Sequence, residues 1–232
     1  MLRERIGNDD PYRSAKQEST RQALALYPKL KHLVAEAPDP LDTAVRLAIA
    51  GNIIDLGPQK DYDLEGTIER VLTQRYAVDD GPALRKALGR VESVLYLGDN
   101  AGETVFDRVL IEAIDVPVIY VVRGGPIIND ATVEDARAAG LDEVATLMSN
   151  GSKGPGTILE RTSSEFRSLY DDAELILAKG QGNYETLSDE GERLFFLLQT
   201  KCPVISRDIG VPVGSIVLKR GTNSREDGLE EL

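Results

Sequence analysis

The segment Leu95-Tyr96-Leu97-Gly98-Asp99-Asn100-Ala101-Gly102-Glu103 decides the fold class of this chain. An apolar run ends abruptly in an Asp-Asn pair, and a glycine and a helix-forming stretch follow directly. This order is typical of a buried parallel strand, which delivers polar groups to the carboxyl edge of a sheet, where open α/β folds bind ligands. The segment therefore predicts a parallel sheet with a functional site at its edge.

The same pattern occurs twice more along the chain. Apolar residues 117–122 lead into Arg123-Gly124-Gly125-Pro126-Ile127-Ile128-Asn129-Asp130, and residues 174–178 lead into Lys179-Gly180-Gln181-Gly182-Asn183-Tyr184-Glu185. Because the carboxyl ends of neighbouring parallel strands meet at one edge, the three strand ends predict a single site built from three loops.

Helical patterns precede this alternating region. They predict helices from Asn8 or Asp9 to about residue 34, and then over residues 41–54, 64–75 and 82–88. From residue 91 we expect strands near 93–97, 116–122, 143–147, 174–178, 203–205 and 215–218, and helices near 103–114, 132–139, 163–170 and 188–200. Strands that alternate with helices form a mostly parallel sheet covered on both faces, which is an α/β fold.

The length of the chain allows one large domain with a smaller appendage. It has 232 residues, of which 41% are hydrophobic, enough for a substantial core. We predict an N-terminal helical subdomain over residues 1–89, an α/β domain that carries the site over residues 90–220, and a disordered polar tail over residues 221–232.

The charge balance and the cysteine count exclude several classes of function. The chain has a formal net charge of −12 and no Lys/Arg cluster with interleaved aromatic residues, so we expect no nucleic-acid partner. No apolar run approaches the ~20 residues that span a bilayer, and the first residues lack the apolar segment of a signal peptide. The single cysteine, Cys202, excludes a disulfide framework. Together these features predict a cytoplasmic protein without a membrane partner.

Three oxygen-bearing side chains at the predicted strand ends are candidate metal ligands. Asp99 and Asn100 stand between a strand and a helix, where either side chain could simply cap the helix. A cap needs only one of them, however, and Asp130 occupies a similar place after the next strand. If the two strands are neighbours, the three residues could instead bind Mg²⁺ or Mn²⁺, and a mixed oxygen site does not exclude Co²⁺ or Ni²⁺.

Two charged side chains near these positions are candidate catalytic groups. Glu103 lies one helical turn after Asp99, so it could orient a water molecule or act as a general base, or it could simply favour a helix N-terminus. Lys179 follows an apolar strand, so it could reach an anion as a point charge, or it could be a surface lysine beside a tight turn.

Further polar and glycine residues could bind the substrate. The glycine-rich segment after Lys179 could hold an anion with its backbone amides. A polar residue near the end of the second helix could either cap that helix or point into the cleft. The substrate-binding residues predicted on this basis, besides Lys179, are Gly180, Gly182, Asn183, Glu185 and Asn52.

Taken together, these motifs resemble the damage-control phosphatases, and most closely the prokaryotic and archaeal branch of that metal-dependent family, subfamily I. The similarity extends from Gly7 to about Lys219, nearly the whole chain. The branch is marked by a Gly-Asn-aromatic-Glu motif and a Lys-Cys pair. Segments that carry the resemblance are residues 7–12, 48–55, 98–103, 125–132 and 179–185, with Lys201 and Cys202.

The resemblance implies a three-layer α/β/α sandwich preceded by an N-terminal helical part. It also implies a divalent metal ion, Mn²⁺, Ni²⁺, Co²⁺ or Mg²⁺, held by Asp99, Asn100 and Asp130. The implied reaction is hydrolysis of phosphate monoesters, and the implied partner is a small phosphorylated metabolite, either a sugar phosphate or a damaged nucleotide-like compound. The branch usually carries a Cys-x-x-Cys motif on an N-terminal helix, which this sequence lacks, so either the sequence starts at a late methionine or the helical part is shortened.

In the mechanism that we predict, a water molecule oriented by Glu103 or Asp99 attacks the phosphorus, while Lys179 and amides near Gly180 and Gly182 hold phosphate oxygens. A covalent aspartyl-phosphate on Asp99 is the alternative.

Two other functions remain open. One is an S-adenosylmethionine-dependent methyltransferase, because residues 98–102 superficially resemble a cofactor loop, although Arg123 stands where a ribose-binding acid is expected. The other is a non-catalytic metabolite-binding module. The oligomeric state is left open.

Overall fold

The computed structural model describes residues 9–53 and 64–223. Asn8, the last predicted residue of the second helix and most of the predicted tail lie outside these residues. The helices are α1 (Arg13–Ala35), α2 (Pro40–Ile53), α3 (Leu64–Thr73), α4 (Gly81–Leu88), α5 (Thr104–Ile111), α6 (Val133–Ala138), α7 (Ser164–Asp172), α8 (Gly180–Leu187) and α9 (Pro203–Ile209). The strands are β1 (Val78–Asp79), β2 (Val94–Leu97), β3 (Val118–Val122), β4 (Thr146–Ser149), β5 (Ile176–Lys179), β6 (Leu194–Gln199) and β7 (Ile216–Arg220).

These strands form one sheet in the order β1-β7-β6-β5-β2-β3-β4. Only the β6–β7 pair is antiparallel among the described strands, and the other neighbours run parallel. The chain proceeds outward from β2 to β3 and β4 and then returns to the other side of β2 as β5. This reversal creates a topological switch point between β2 and β5, the place where open α/β sheets bind ligands.

Alternate residues of the strands enter two cores on opposite faces of the sheet. In β2, Val94 and Tyr96 pack in the core under α2, α4, α5 and α6, whereas Leu95 and Leu97 pack in the core under α7, α8 and α9. A third cluster joins α1 and α3 to the outer sides of α2 and α5. The predicted α/β fold with a mostly parallel sheet is therefore confirmed, with an extra helical layer on one face.

The N-terminal helices share a core with the sheet. Ala44, Ala48 and Ile49 of α2 belong to the same cluster as strand residues of β2 and β3, and β1 pairs with β7 at the edge of the sheet. The division between a helical subdomain and an α/β domain at residues 89 and 90 stays a prediction.

α1 is the longest of the described helices at 23 residues, but over the described ranges no helix combines the length and the apolar character needed to cross a membrane.

Three predicted elements after residue 178 were wrong. The predicted helix over residues 188–200 is strand β6, the predicted strand over residues 203–205 begins helix α9, and the predicted glycine loop after Lys179 is helix α8. The apolar run 194–198 is buried in β6, and periodicity does not distinguish such a short run from a buried helix. Pro203 is the first residue of α9, a position that its fixed φ favours.

Candidate active site

An isolated antiparallel bridge joins the two loops that carry the candidate metal ligands. The amide of Ala101 donates to the carbonyl of Asn129 at 2.9 Å, and the amide of Ala131 donates to the carbonyl of Asp99 at 2.8 Å. This arrangement places Asn100 directly opposite Asp130. Because residues opposite each other in such a pair project to the same side, their side chains share one face. The structure thus brings Asp99, Asn100 and Asp130 together beside the switch point.

The amide group of Asn100 has a fixed orientation. Its Nδ2 donates to Oε1 of Glu103 at 2.6 Å and to Oδ2 of Asp99 at 3.3 Å. Both acceptors are carboxylates, which accept hydrogen bonds but do not donate them when ionised. The carbonyl oxygen Oδ1 of Asn100 is therefore the atom that remains available for a cation.

Glu103 holds this cluster together instead of facing the solvent. It is 2% exposed. Its Oε1 also accepts from Nδ2 of Asn52 at 3.0 Å, and its Oε2 accepts from Nζ of Lys179 at 3.0 Å. Burial alone would raise the pKa of Glu103, but the charges of Lys179 and Lys201 and the hydrogen bonds lower it below its ordinary value. A carboxylate with both oxygens engaged and a lowered pKa is a weak general base, so its geometry favours a positioning role over the predicted proton transfer.

Lys179 is fully buried at the end of β5. Its Nζ donates to Oδ1 of Asp107 at 2.7 Å as well as to Glu103. Burial would lower the pKa of Lys179, but the two carboxylates raise it instead. The sequence suggested either a lysine that reaches an anion from a glycine loop or a surface lysine beside a tight turn. Both interpretations need correction, because the ammonium group neither lies on the surface nor projects into an open glycine loop. Two of its three N–H donors are bonded to carboxylates.

Asp107 was missed in the sequence. It is fully buried, and its carboxylate also accepts from the hydroxyl groups of Tyr96 at 2.8 Å and Tyr120 at 2.7 Å. A detectable signal was its spacing, because Asp107 lies four residues after Glu103 and so shares a helix face with it. The resulting network links Glu103, Lys179 and Asp107 beneath the candidate ligands.

Arg123 is the second buried cation of the cluster, and the sequence analysis did not assign it to the site. It is 3% exposed, and its Nε donates to Oδ2 of Asp130 at 2.7 Å. Its Nη2 lies 4.0 Å from Oδ1 of Asp99, and its Nη1 donates to Oγ1 of Thr157 at 3.2 Å. A charged residue directly after the apolar strand β3 was the available signal, the same one that identified Asp99.

Of the predicted substrate-binding residues, Asn52 lies in the cluster. It is 2% exposed at the end of α2, and its Nδ2 also donates to Oδ2 of Asp99 at 3.2 Å. Of the two alternatives, helix cap and cleft residue, its contacts agree with the second. Its Oδ1 is buried without a hydrogen-bond partner. A buried amide oxygen without a partner, on a side chain whose Nδ2 is bonded to two carboxylates, indicates that a cation or a water molecule belongs there.

The structure places Asn183 inside the protein and Glu185 at its surface. Asn183 is fully buried, where its Nδ2 donates to the carbonyls of Gly98 at 3.2 Å and Lys179 at 2.8 Å, and its Oδ1 accepts from Thr157. These bonds tie the ends of β2 and β5 together, so the amide is engaged in structure. Glu185 is exposed on α8, and within the described residues no hydrogen bond or ion pair joins it to the cluster.

Gly180 and Gly182 lie in the first turn of α8, not in a loop. Gly180 has a φ of +78°, and a Cβ at this position would lie 1.9 Å from Oδ2 of Asp99 and 3.2 Å from Nδ2 of Asn52. The backbone of α8 can approach Asp99 this closely only because residue 180 has no side chain. Gly182 packs on the neighbouring loop, since its carbonyl oxygen would lie 2.4 Å from a Cβ at Gly156.

The close approach of Gly180 to Asp99 leads to a test. Gly180→Ala is expected to lower the free energy of unfolding by about 1–3 kcal/mol and to disturb Asp99, because it adds both left-handed strain and a steric overlap. Gly210→Ala is the matched control, since Gly210 has a φ of +80° but no atom within 4 Å of its Cβ position. Urea unfolding and turnover of both variants are the measurements. Equal effects of the two substitutions would contradict the proposed contact.

The cluster holds more negative than positive charge. Its carboxylates are Asp99, Glu103, Asp107 and Asp130, of which none has a side chain more than 14% exposed, and the cations bonded to them are Lys179 and Arg123. Burial, together with the charges of Glu103 and Asp130, raises the pKa of Asp99 to about 8. Burial also raises the pKa of Asp130 despite Arg123. Buried carboxylates in excess favour a bound cation.

This donor set fits a divalent cation that accepts oxygen ligands. Two carboxylates and the oriented amide oxygen of Asn100 suit Mg²⁺ or Mn²⁺. Over residues 9–53 and 64–223, no three His, Cys, Asp and Glu side chains form a metal-binding group by themselves. The fit therefore depends on the amide of Asn100, and the metal-binding role of the three residues remains a prediction.

Comparison with known proteins identifies relatives along nearly the whole chain. Residues 1–217 match the model of the damage-control phosphatase ARMT1-like domain. A damage-control phosphatase of Pyrococcus horikoshii is 40% identical over 221 residues, covering 93% of this chain and 76% of the relative. A damage-control phosphatase of Archaeoglobus fulgidus is 38% identical over 223 residues, covering 92% and 77%. The crystal structure of a DUF89 family protein from Pyrococcus horikoshii superposes with a TM-score of 0.85 at 38% identity, covering 95% of this chain and 79% of that one.

Proposed function

This chain belongs to the damage-control phosphatase ARMT1-like family, and on that premise we propose that it is a metal-dependent hydrolase of phosphate monoesters of small metabolites. Its named relatives support a phosphatase with a role in metabolite repair. The observation that carries the metal dependence is the excess of buried carboxylates around Asp99 at the switch point. Sugar phosphates and damaged nucleotide-like compounds are the proposed substrate class.

Asp99, Asp130 and Oδ1 of Asn100 would hold the metal ion, which is Mn²⁺, Ni²⁺, Co²⁺ or Mg²⁺ in this proposal. When bound, a divalent cation supplies Lewis-acid polarisation of a phosphoryl oxygen and neutralises developing negative charge. Arg123 keeps Asp130 in place through the 2.7 Å bond from its Nε, and Glu103 does the same for Asn100. These two bonds support the proposal because they hold two ligands from different loops.

We assign the orientation of the attacking water to Asp99. Both oxygens of Glu103 accept hydrogen bonds, whereas Oδ1 of Asp99 faces Arg123 at 4.0 Å, beyond hydrogen-bond distance. A covalent aspartyl-phosphate on Asp99 is the competing route. Incubation with beryllium fluoride separates the two, because an adduct attached to Asp99 would contradict the water route.

Lys201 is the accessible cation that we propose for the phosphate group of the substrate. The carboxamide of Gln181, in the first turn of α8, accepts from the backbone amides of Lys201 and Cys202 and so anchors this segment beside the site. The side chain of Lys201 is exposed, yet its charge lowers the pKa of Glu103. Lys201 is therefore within electrostatic range of the cluster and open to a ligand, whereas Lys179 is buried.

Lys201→Met is expected to raise KM for a phosphate monoester about 10-fold with a smaller effect on kcat, because it removes one charge-assisted contact of about 1.5–3 kcal/mol. Steady-state kinetics at saturating metal are the measurement. Lys86→Met is the control, since Lys86 is an exposed lysine of α4, which packs near β7 away from the switch point. An unchanged KM in Lys201→Met would contradict this assignment.

The feature that suggested a methyltransferase has a packing explanation. A Cβ at Gly98 would lie 2.5 Å from the hydroxyl of Tyr120, so the glycine makes room for a side chain of the core. Calorimetric titration with S-adenosylmethionine tests the alternative.

The proposed function itself is tested by phosphate release from monoesters, diesters and pyrophosphate in the presence of each metal. We expect turnover of monoesters, and turnover of diesters alone would contradict the proposal.

A further inference from the structure

Ile128 has a backbone conformation that isoleucine rarely adopts. Its φ of 44° makes it the one residue other than glycine with a positive φ in the part of the chain that the structure describes. A β-branched side chain in this region is strained, whereas glycine and asparagine adopt it readily. The protein therefore keeps isoleucine at a position where the backbone alone would favour another residue.

The strained residue belongs to the turn that positions Asp130. The amide of Asp130 donates to the carbonyl of Ile127 at 3.0 Å, which closes a four-residue turn with Ile128 as its first central residue. A positive φ at the first central residue, without one at Asn129, is typical of type II′ turns, a class in which Gly, Asn and Asp predominate. The next carbonyl, that of Asn129, accepts from Ala101 and holds Asp130 opposite Asn100. The turn explains the backbone conformation but not the choice of isoleucine.

Packing inside the free protein does not explain the isoleucine either. Ile128 is 55% exposed, so its apolar side chain gains little from burial. Strain that persists without a compensating contact is typical of functional sites, where the ligand supplies the contact. The missing contact is small, because one exposed side chain cannot provide the roughly 800 Å² per partner of a stable protein interface. A small molecule at the adjacent site has the appropriate size.

We propose that the side chain of Ile128 contacts the organic group of the substrate and selects phosphate monoesters whose alcohol presents an apolar face beside the phosphate. This inference rests on the proposed function and deepens it by naming a specificity-determining residue. Ile128 lies two residues before Asp130, on the same turn, so a group attached to a phosphate at Asp130 would lie within reach of the turn. An apolar contact of this kind changes affinity by about one order of magnitude.

The test uses binding, so that it does not depend on turnover. Calorimetry at saturating Mn²⁺ compares phenylphosphonate with methylphosphonate, which share the anionic group and differ only in the apolar group. We expect the wild-type protein to bind phenylphosphonate about 10-fold more tightly, and Ile128→Asn to remove this preference while the affinity for methylphosphonate stays within about 2-fold. Ile128→Val is the matched control, because it keeps an apolar β-branched side chain, and it should keep the preference.

Thermal unfolding provides the second readout. Because asparagine tolerates a positive φ, Ile128→Asn is expected to raise Tm by about 2–4 °C, while Ile128→Val leaves it unchanged. An equal loss of affinity for both phosphonates would show that Ile128 only positions Asp130, and an unchanged preference would show that it touches no substrate. Either result overturns the inference. Absence of hydrolysis would instead contradict the proposed function. The ratio of the affinities for phenylphosphonate and methylphosphonate would still decide this inference, because it is measured by binding.

Discussion

Lys179→Met is expected to lower the free energy of unfolding by about 3–5 kcal/mol, because it leaves the buried carboxylates of Glu103 and Asp107 without the cation that they share. The ammonium group lies 3.0 Å from Oε2 of Glu103 and 2.7 Å from Oδ1 of Asp107, and none of the three side chains is more than 3% exposed. Methionine fills a similar volume, so the loss of charge dominates over the loss of packing. Urea unfolding monitored by circular dichroism measures the difference.

Two further variants test whether the loss of stability comes from the buried ion pairs of Lys179 or from the loss of any lysine. Lys153→Met removes an exposed lysine and is expected to change the free energy of unfolding by less than about 0.5 kcal/mol. Combining Lys179→Met with Asp107→Asn removes one of the orphaned charges and should recover part of the stability. If Lys179→Met costs less than about 1 kcal/mol, the buried network is not what holds Glu103 in place.

Asp99→Asn is expected to abolish turnover, by at least about 10³-fold, without destabilising the metal-free protein. Burial and the charges of Glu103 and Asp130 penalise the ionised form of Asp99, so a neutral isostere relieves that cost in the absence of a cation. The wild-type protein should gain about 2.7 kcal/mol from Mn²⁺ at 100 times its Kd, and the variant should gain almost nothing. Thermal unfolding with and without Mn²⁺, together with phosphate release, gives both readouts.

The control for this experiment is Asp142→Asn, an exposed carboxylate in the short turn Leu141–Glu143 before β4. It should keep both the metal-induced rise in Tm and the turnover. A variant Asp99→Asn that unfolds at much lower temperature without metal would show that Asp99 supports the fold, as a helix cap does. Retention of the Mn²⁺-induced stabilisation in that variant would contradict its assignment as a ligand.

A strand could be predicted where its sequence is a continuous apolar run that ends in polar residues. β2 is a continuous apolar run that ends in Asp99 and Asn100, and a parallel strand buried on both faces requires this pattern. The same logic failed for β6. Its apolar run is too short for periodicity to distinguish a buried strand from a buried helix. The correct assignment depends on pairing with β5 and β7, which is tertiary information.

The candidate site was predicted in part for a related reason. Asp99 and Asn100 follow the end of β2 closely, so topology alone brings them to the edge of the sheet. Asp130 lies further along the loop after β3 and reaches the same place through its bridge to Asn100. The environment of Lys179 could not be predicted in this way, because its partners Glu103 and Asp107 lie more than 70 residues earlier, separated from it by 76 and 72 positions. Arg123 was visible as a charged residue at a strand end, but its bond to Asp130 depends on how the intervening turn folds back.

The most direct test of the central claim is hydrolysis of p-nitrophenyl phosphate by metal-stripped protein, with Mn²⁺, Ni²⁺, Co²⁺ or Mg²⁺ added back, beside the variant Asp130→Ala. A chain whose switch point binds a catalytic cation should show turnover that requires metal and disappears in Asp130→Ala, with both proteins folded by circular dichroism. Turnover that persists without metal or in the variant, or no turnover with any metal in folded wild-type protein, would contradict the account.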